Sequence, residues 1–459
     1  MAVNGEPKDR GHWSGPLPFI MASAGAAIGL GNIWKFPYIT GMNGGGAFVL
    51  FYLLCIALVG LPLLISEMLM GRKAERDTVG SFLELGHQRA GGKAWAGFGW
   101  LAVITCGVLL SFYAVIAGWA MDYVVKSVTG AFWAVPAAEV PALFDALLAN
   151  PWANVIYAGL FMLLTAGIVV GGVKGGLEKA NNILIPTLFI LLTGLMIYGL
   201  TQKGAGQALA FMFAPDFSKL TGAGMLEALG HAFFSLGLGM GVMIVYGSYL
   251  GKGTSLVKAA ISIAFLDTLI ALMAGVMIFS MVFTYGLEPG AGPGLIFQTL
   301  PVMFAGVPGG GILATLFFVL LTFAALTSSI SLLECVVAYV VDEDHLSRGK
   351  AVAISGAAIF GLGIFSALSF NVLAGVKLLG ERNIFDTLDF LVSNLALPLG
   401  GLGVAIFTGW VMLVPDVKDE FQDNALERFS RVFWRFCIRF VAPFGIIAVL
   451  LFSLGVIKF

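Results

Sequence analysis

Two stretches place glycines and oxygen-bearing side chains where an apolar helix should simply continue. The first is "GAAIGLGNIWKFPY" at 25–38, with Gly25, Gly29, Gly31, Asn32 and Lys35; the second is "FFSLGLGMG" at 233–241, with Ser235. Breaking a helix in lipid leaves N–H and C=O groups unpaired unless something polar meets them. A cation can take the carbonyls. A carboxylate can take the amides at the N-terminus of a half-helix, where the helix dipole also favours it. Glycine lowers the conformational cost of the break and lets a ligand reach the backbone. The chemistry suggested is the binding of a zwitterion together with one or more small cations. The plainer alternative is that these glycines only let helices pack closely.

Other polar groups stand in apolar runs. "AALTSSIS" (324–331) carries Thr327, Ser328 and Ser331, hydroxyls that suit a small hard cation or that bond back to the preceding helical turn. Asp267, in "IAFLDTLIAL", is a lone carboxylate in an apolar segment and reads as functional, either an ion ligand or a paired acid. Glu67, in "LISEMLMGR", can accept from amides freed by a break, or be a paired acid at a helix end. Tyr113, in "LLSFYAVIAGW", offers a phenol or is an ordinary core tyrosine.

The elements that must position these groups follow from composition. The chain has 459 residues, of which 59% are hydrophobic and only 11% charged, and its mean hydropathy is +0.96. That is too little charge for a water-facing surface of this size. Eleven segments are long enough to cross a bilayer: 16–40, 45–71, 94–127, 152–171, 180–200, 225–250, 257–285, 311–341, 350–370, 387–414 and 431–457. With the N-terminus inside, the inner segments hold most of the lysines and arginines, and the outer loops 128–150 and 286–308 hold none. The positive-inside rule then puts the N-terminus in the cytoplasm and the C-terminus outside a cell inner (plasma) membrane. The two interrupted segments, the first and the sixth, lie five apart. This suggests two five-helix repeats of opposite orientation, about 16–200 and 225–414, with an extra helix at about 431–457. The polar start "MAVNGEPKDRGHW" has no small-residue cleavage site and is not read as a removable signal.

Several functions are disfavoured. The net charge is −1 with no basic tract, which argues against nucleic acid. The four cysteines form no CxxC, and no HExxH, GxSxG or Walker A motif appears, so no enzyme is expected. No protein partner is implied.

"AAIGLGNIWKFPY" with "NGGGAF" (43–48), "FFSLGLGMG" and "LTSSIS" resembles the neurotransmitter:sodium symporters, over the chain from about Arg10 to the C-terminus. The resemblance implies an all-α membrane protein of the leucine-transporter fold, with helices 1 and 6 unwound at mid-membrane. The expected count of eleven spans matches some bacterial members. It also implies roles for residues here. One sodium would be held by Ala27, Asn32, Ser235, Asp267 and the substrate carboxylate. A second would be held by the carbonyls of Gly25, Ile28 and Ala324 with the hydroxyls of Thr327 and Ser328. The carboxylate would meet the Leu30 and Gly31 amides and Tyr113; Ala27, Phe234 and Ser235 carbonyls would take the ammonium. Leu109, Phe234, Gly237, Met240, Ser328 and Leu332 would line the side-chain pocket. Lys35 and Asp389 would form an outer gate over a lid of Tyr113 and Phe234; Arg10, Trp13, Ser248, Tyr249 and Asp342 would form an inner one.

Four departures sharpen this expectation. Gly29 stands where monoamine members carry Asp, so the substrate should bring its own carboxylate. Gly237 replaces a Ser found in some amino-acid members, which favours a bulky neutral side chain. A GABA-carrying member also has Gly here, so an ω-amino acid stays open, as does a non-transporting sensor on the same fold. Lys35 stands where Arg is usual and lacks its bidentate fork. Asp267 replaces the more frequent Asn and can supply a fixed charge that relatives borrow from chloride; it can also take a proton on the return step. Gly176 and Pro186, with nine residues between them, resemble a family feature that would let the fifth helix unwind. From Asp267 the expectation is that replacing chloride by gluconate leaves uptake unchanged; collapse of uptake contradicts it.

Overall fold

A computed structural model describes residues 11–87, 91–289, 294–307 and 309–458. Among these the chain is almost entirely helical, the sole extended pairing being an isolated bridge between Leu379 and Arg382. Nine helices are long and apolar enough to cross a membrane: Gly46–Ala74, Gly92–Val128, Pro151–Val169, Val173–Leu200, Leu256–Thr284, Gly310–Glu343, Arg348–Leu368, Ile384–Val411 and Ala425–Ser453. A tenth is the pair Pro16–Ala27 and Gly31–Met42, bent by 52°. The sixth expected segment is two shorter helices, Gly222–Ser235 and Val242–Ser248. In chain order these are spans 1 to 11 below.

Helix starts follow their caps more closely than hydropathy does. Span 11 begins at Ala425, before the apolar run, because Asn424 accepts from the Glu427 N–H. The side chains of Asn150, Thr221 and Ser255 cap spans 4, 6 and 7 in the same way. Exposed apolar side chains such as Leu163, Ile190 and Phe444 lie on faces that lipid covers.

The two breaks are built differently. In span 1 the helix ends at Ala27, Ile28 turns extended (φ −69°, ψ 108°) and helix resumes at Gly31. In span 6 the segment 236–241 carries Gly237 and Gly239 at φ +63° and +83°, a region that L side chains avoid. Gly239 also has no room: a Cβ would lie 2.1 Å from the Leu397 carbonyl oxygen of span 10. Spans 3 and 8 pack along each other, as do the second half of span 6 and span 2; these straight helices frame the broken ones.

The start of span 5 is wound. Val173–Glu178 forms a π-helical turn, and Lys179–Leu200 continues as α-helix through Pro186. The unwinding suggested by Gly176 and Pro186 is therefore not seen in this conformation. Gly176 has another reason to be glycine, since a Cβ would sit 2.1 Å from the Ile168 carbonyl oxygen. Gly175 beside it faces open space. Gly176→Ala should lower the thermal midpoint measurably, as backbone overpacking typically costs about 1–3 kcal/mol. Gly175→Ala should not; equal midpoints for the two variants would contradict this packing.

Candidate cation and substrate site

At the first break the side chains of four spans converge. Asn32 Nδ2 donates to Asp267 Oδ1 at 2.7 Å, to the Asp267 carbonyl at 3.0 Å and to Ser235 Oγ at 3.2 Å. Ser235 Oγ donates to Asp267 Oδ2 at 2.8 Å, and the Tyr52 hydroxyl donates to Ser235 Oγ at 3.2 Å. Asn32 Oδ1 turns back to accept from the Gly29 N–H at 3.0 Å, tying the loose turn to its own helix. All four residues are fully or almost fully buried. The result is a dry cluster of oxygens around one carboxylate. An anionic carboxylate in such surroundings calls for a positive partner, and oxygen ligands favour a small hard cation.

A second oxygen cluster joins span 1 to span 8. The Ile28 carbonyl, freed by its extended backbone, accepts from Thr327 Oγ1 at 3.2 Å and Ser328 Oγ at 3.1 Å. Both hydroxyls also bond back to the Ala324 carbonyl, at 3.0 and 3.4 Å. The back-bonding open in the sequence is thus seen, and the same hydroxyls also reach the broken helix. Gly25 lies one turn before Ile28. Against it presses Asn181 Oδ1 of span 5, buried and without a hydrogen-bond partner among the described residues; a Cβ on Gly25 would be 2.2 Å from that oxygen.

Between the clusters lies a cavity of about 30 Å³, lined by Ala27, Gly29, Leu30, Gly31, Leu109, Tyr113, Phe234, Gly237, Met240, Ser328 and Leu332 among others. Every residue expected to line the side-chain pocket is here. The Leu30 N–H donates to the Tyr113 hydroxyl at 3.2 Å, so amide and phenol share one spot. A Cβ on Gly29 would meet Ser328 Oγ at 2.5 Å and the Tyr113 hydroxyl at 2.8 Å, which leaves no space for a carboxylate side chain there. The cavity holds about one water, so a bulky side chain enters only as the lining moves. Met240, unbranched and flexible, suits that task.

Tyr113 and Phe234 also border a second, larger cavity of about 320 Å³. Lys35 and Asp389 both line it, yet the expected outer ion pair is not formed. Lys35 Nζ sits 4.2 Å over the Phe234 ring, and Asp389 accepts from Ser393 Oγ at 2.8 Å. Each charge has a local partner, and the cavity lies between them.

The inner side is closed by more groups than expected. The Trp13 N–H donates to the Tyr249 carbonyl and Trp13 Nε1 to the Tyr246 carbonyl. Ser248 Oγ donates to the Val245 carbonyl, and Asp342 Oδ2 accepts from the Asp77 N–H at 3.1 Å. Arg10 lies outside the described residues. The Tyr249 hydroxyl donates to Glu334 Oε1 at 2.9 Å; Arg348 holds the same carboxylate and also the Val169 carbonyl. Glu178 accepts from the Ser14 N–H at 3.1 Å.

Glu67 does what its position suggests: Oε1 accepts from the Gly239 N–H at 2.7 Å, inside the span 6 break. Residues not foreseen are Tyr52, Asn181, Glu334 and Arg348, and the thiols of Cys106 and Cys335, which both donate to the Met240 carbonyl, at 3.1 and 3.4 Å. Glu334 carried a usable signal, a carboxylate within span 8. The thiols carried none.

Known proteins share this architecture. The sodium:neurotransmitter symporter family profile matches residues 10–140 and 153–459. An uncharacterized sodium-dependent transporter of Bacillus subtilis is 38% identical over 449 residues, covering 97% of this chain and 98% of the relative. A sodium-dependent dopamine transporter of Bos taurus is 26% identical, covering 99% of this chain and 70% of the relative. The crystal structure of MhsT in complex with L-phenylalanine superposes with a TM-score of 0.88 at 45% identity, covering 97% of this chain and all of that one. The chain belongs to the sodium:neurotransmitter symporter family, a family of multi-pass membrane transporters and not of enzymes.

If the Asn32–Ser235–Asp267 cluster holds a cation, Asp267→Asn should raise the sodium concentration for half-maximal substrate binding by about tenfold or more. Tyr52→Phe, which removes one neutral hydrogen bond, should raise it by only about two- to tenfold. Titration of substrate binding against sodium checks both, and an unchanged Asp267→Asn curve contradicts the assignment.

Proposed function

We propose that this member of the sodium:neurotransmitter symporter family carries a neutral, bulky hydrophobic or aromatic amino acid into the cell, coupled to two sodium ions and independent of chloride. The observation that carries the reading is the Asn32–Ser235–Asp267 oxygen cluster beside an apolar pocket, at the point where span 1 breaks. The crowded Gly29 supports a substrate that brings its own carboxylate. The apolar walls at Leu109, Phe234, Met240 and Leu332 support a hydrophobic side chain, and the phenylalanine in the related MhsT complex points the same way.

In this reading the substrate carboxylate lies against the Leu30 and Gly31 amides and the Tyr113 hydroxyl. It thereby joins the ligand shell of the first sodium, with Ala27, Asn32, Ser235 and Asp267. Gly25, Ile28, Ala324, Thr327 and Ser328 hold the second. Asp267 contributes a fixed negative charge, which makes an external anion unnecessary. Tyr113 and Phe234 separate the site from the outer cavity, and the Trp13, Tyr249, Glu334 and Arg348 contacts separate it from the inside. Opening one barrier at a time lets a sodium gradient drive uptake. The N-terminus then lies in the cytoplasm and the membrane is the cell's inner membrane, as the distribution of lysine and arginine suggests.

Proteoliposomes supply the test. Labelled leucine, phenylalanine and tryptophan should accumulate saturably under an inward sodium gradient and not under potassium, with little competition from GABA. Binding without accumulation would favour a sensor, and strong competition by GABA would overturn the hydrophobic assignment.

A further inference from the structure

A cavity of about 290 Å³ lies between the end of span 10 and the start of span 11, far in sequence from both oxygen clusters. Four cations line it, Lys418, Arg431, Arg435 and Arg439, and no carboxylate does. The three arginines recur every fourth residue and so form one stripe along span 11, where like charges repel.

The arginines at the end of span 2 and on span 11 outside the cavity, and Lys73, are paired with carboxylates. Arg72 is paired with Glu420 at 2.6 Å, Lys73 with Asp416 at 3.5 Å, Arg76 with Glu343 at 2.7 Å and Arg428 with Asp423 at 2.9 Å. Among the described residues Lys418, Arg431 and Arg435 have no carboxylate within 4.0 Å. Arg439 is fixed in place instead: its Nε donates to the Gly409 carbonyl at 2.6 Å, and its guanidinium rests 4.9 Å over Trp410. Arg431, Arg435 and Arg439 are each half-buried, and Lys418 is exposed at the edge of the cavity.

The mouth of the cavity is apolar. Trp410, Val432, Phe436 and Phe440 are exposed around it, on helices long and apolar enough to span a membrane. A ligand that fits has a compact anionic head against four cations and hydrocarbon beside it. The volume equals roughly ten waters at about 30 Å³ each, enough for a phosphate with its glycerol. We propose that this cavity seats the phosphate headgroup of an anionic phospholipid, in the leaflet to which Arg72 and Lys73 point. Its head ties the end of span 10 to the start of span 11, and its chains lie along Trp410 and Phe440. Basic pockets between helices on the positive side of a membrane are suited to this use.

The experiment uses the purified, delipidated full chain in a neutral detergent. Phosphatidylglycerol, phosphatidylcholine with the same acyl chains, and inorganic phosphate are each titrated, with bound lipid counted by native mass spectrometry and the thermal midpoint followed in parallel. Phosphatidylglycerol should bind more tightly than phosphatidylcholine and raise the midpoint more. With about 1 kcal/mol per cation near the surface, Arg435→Gln should weaken phosphatidylglycerol about fivefold, and Arg431→Gln with Arg435→Gln about thirtyfold. Arg428→Gln, outside the cavity, should leave it unchanged. Should the double variant not fold, the unsubstituted chain still decides, because added salt must weaken phosphatidylglycerol and leave phosphatidylcholine alone. Equal binding of the two lipids, salt-insensitive phosphatidylglycerol, an unweakened folded double variant, or full displacement by millimolar phosphate would each overturn the proposal.

Discussion

Everything in this protein is arranged around backbone groups that two helices leave unpaired inside a membrane. Each such group costs several kcal/mol in hydrocarbon, so a break survives only where other polar atoms are brought to it. The chain brings them from distant spans. Thr327 and Ser328 reach the Ile28 carbonyl, Tyr113 takes the Leu30 N–H, and Glu67 takes the Gly239 N–H. Cys106 and Cys335 cover the Met240 carbonyl. Straight spans 2, 3 and 8 thus act as the complement of broken spans 1 and 6. In the proposed reading, ions and a zwitterion use the same carbonyls and amides, so the chemistry falls where the backbone cost is greatest.

The cavity at the first break is small, about 30 Å³. Gly237 and Gly239 occupy left-handed backbone, Met240 follows them, and apart from Tyr113 and Phe234 the described lining is of small or flexible side chains such as Leu109, Met240 and Leu332. The outer barrier is thin, two aromatic rings between two cavities. The inner barrier is thick, built from Trp13, Tyr246, Tyr249, Glu334 and Arg348 with a buried carboxylate at its centre. Breaking one partner of such a buried pair is costly, so these contacts support one another.

Much of this was legible in the sequence, for a physical reason. Glycines and polar residues in an apolar run are exceptional, so Asn32, Ser235, Asp267, Thr327 and Ser328 stood out, and the structure brings them together as two clusters. Segment limits were close, with the largest shifts at spans 5 and 11, where a π-turn and the Asn424 cap start the helix before the apolar run. What the sequence hid were partnerships across spans. Lys35 and Asp389 looked like a pair, but a cation–π contact to Phe234 and a hydroxyl of Ser393 hold them apart. Tyr52 and Asn181 look like ordinary helix residues until span 6 and Gly25 are laid against them. Pro186 looked like a hinge, yet it sits within continuous helix.

The central claim is that substrate carboxylate and sodium share one ligand shell at Asp267. Reciprocity then fixes the measurement: the affinity of phenylalanine across a sodium series and the affinity of sodium across a phenylalanine series, both by calorimetry on purified protein. Linkage requires that each ligand raise the affinity of the other by the same factor. A shared shell predicts a factor well above one that shrinks toward one when phenylalanine is replaced by phenethylamine, which lacks the carboxylate. A factor near one for phenylalanine, or an undiminished factor for the amine, would contradict it.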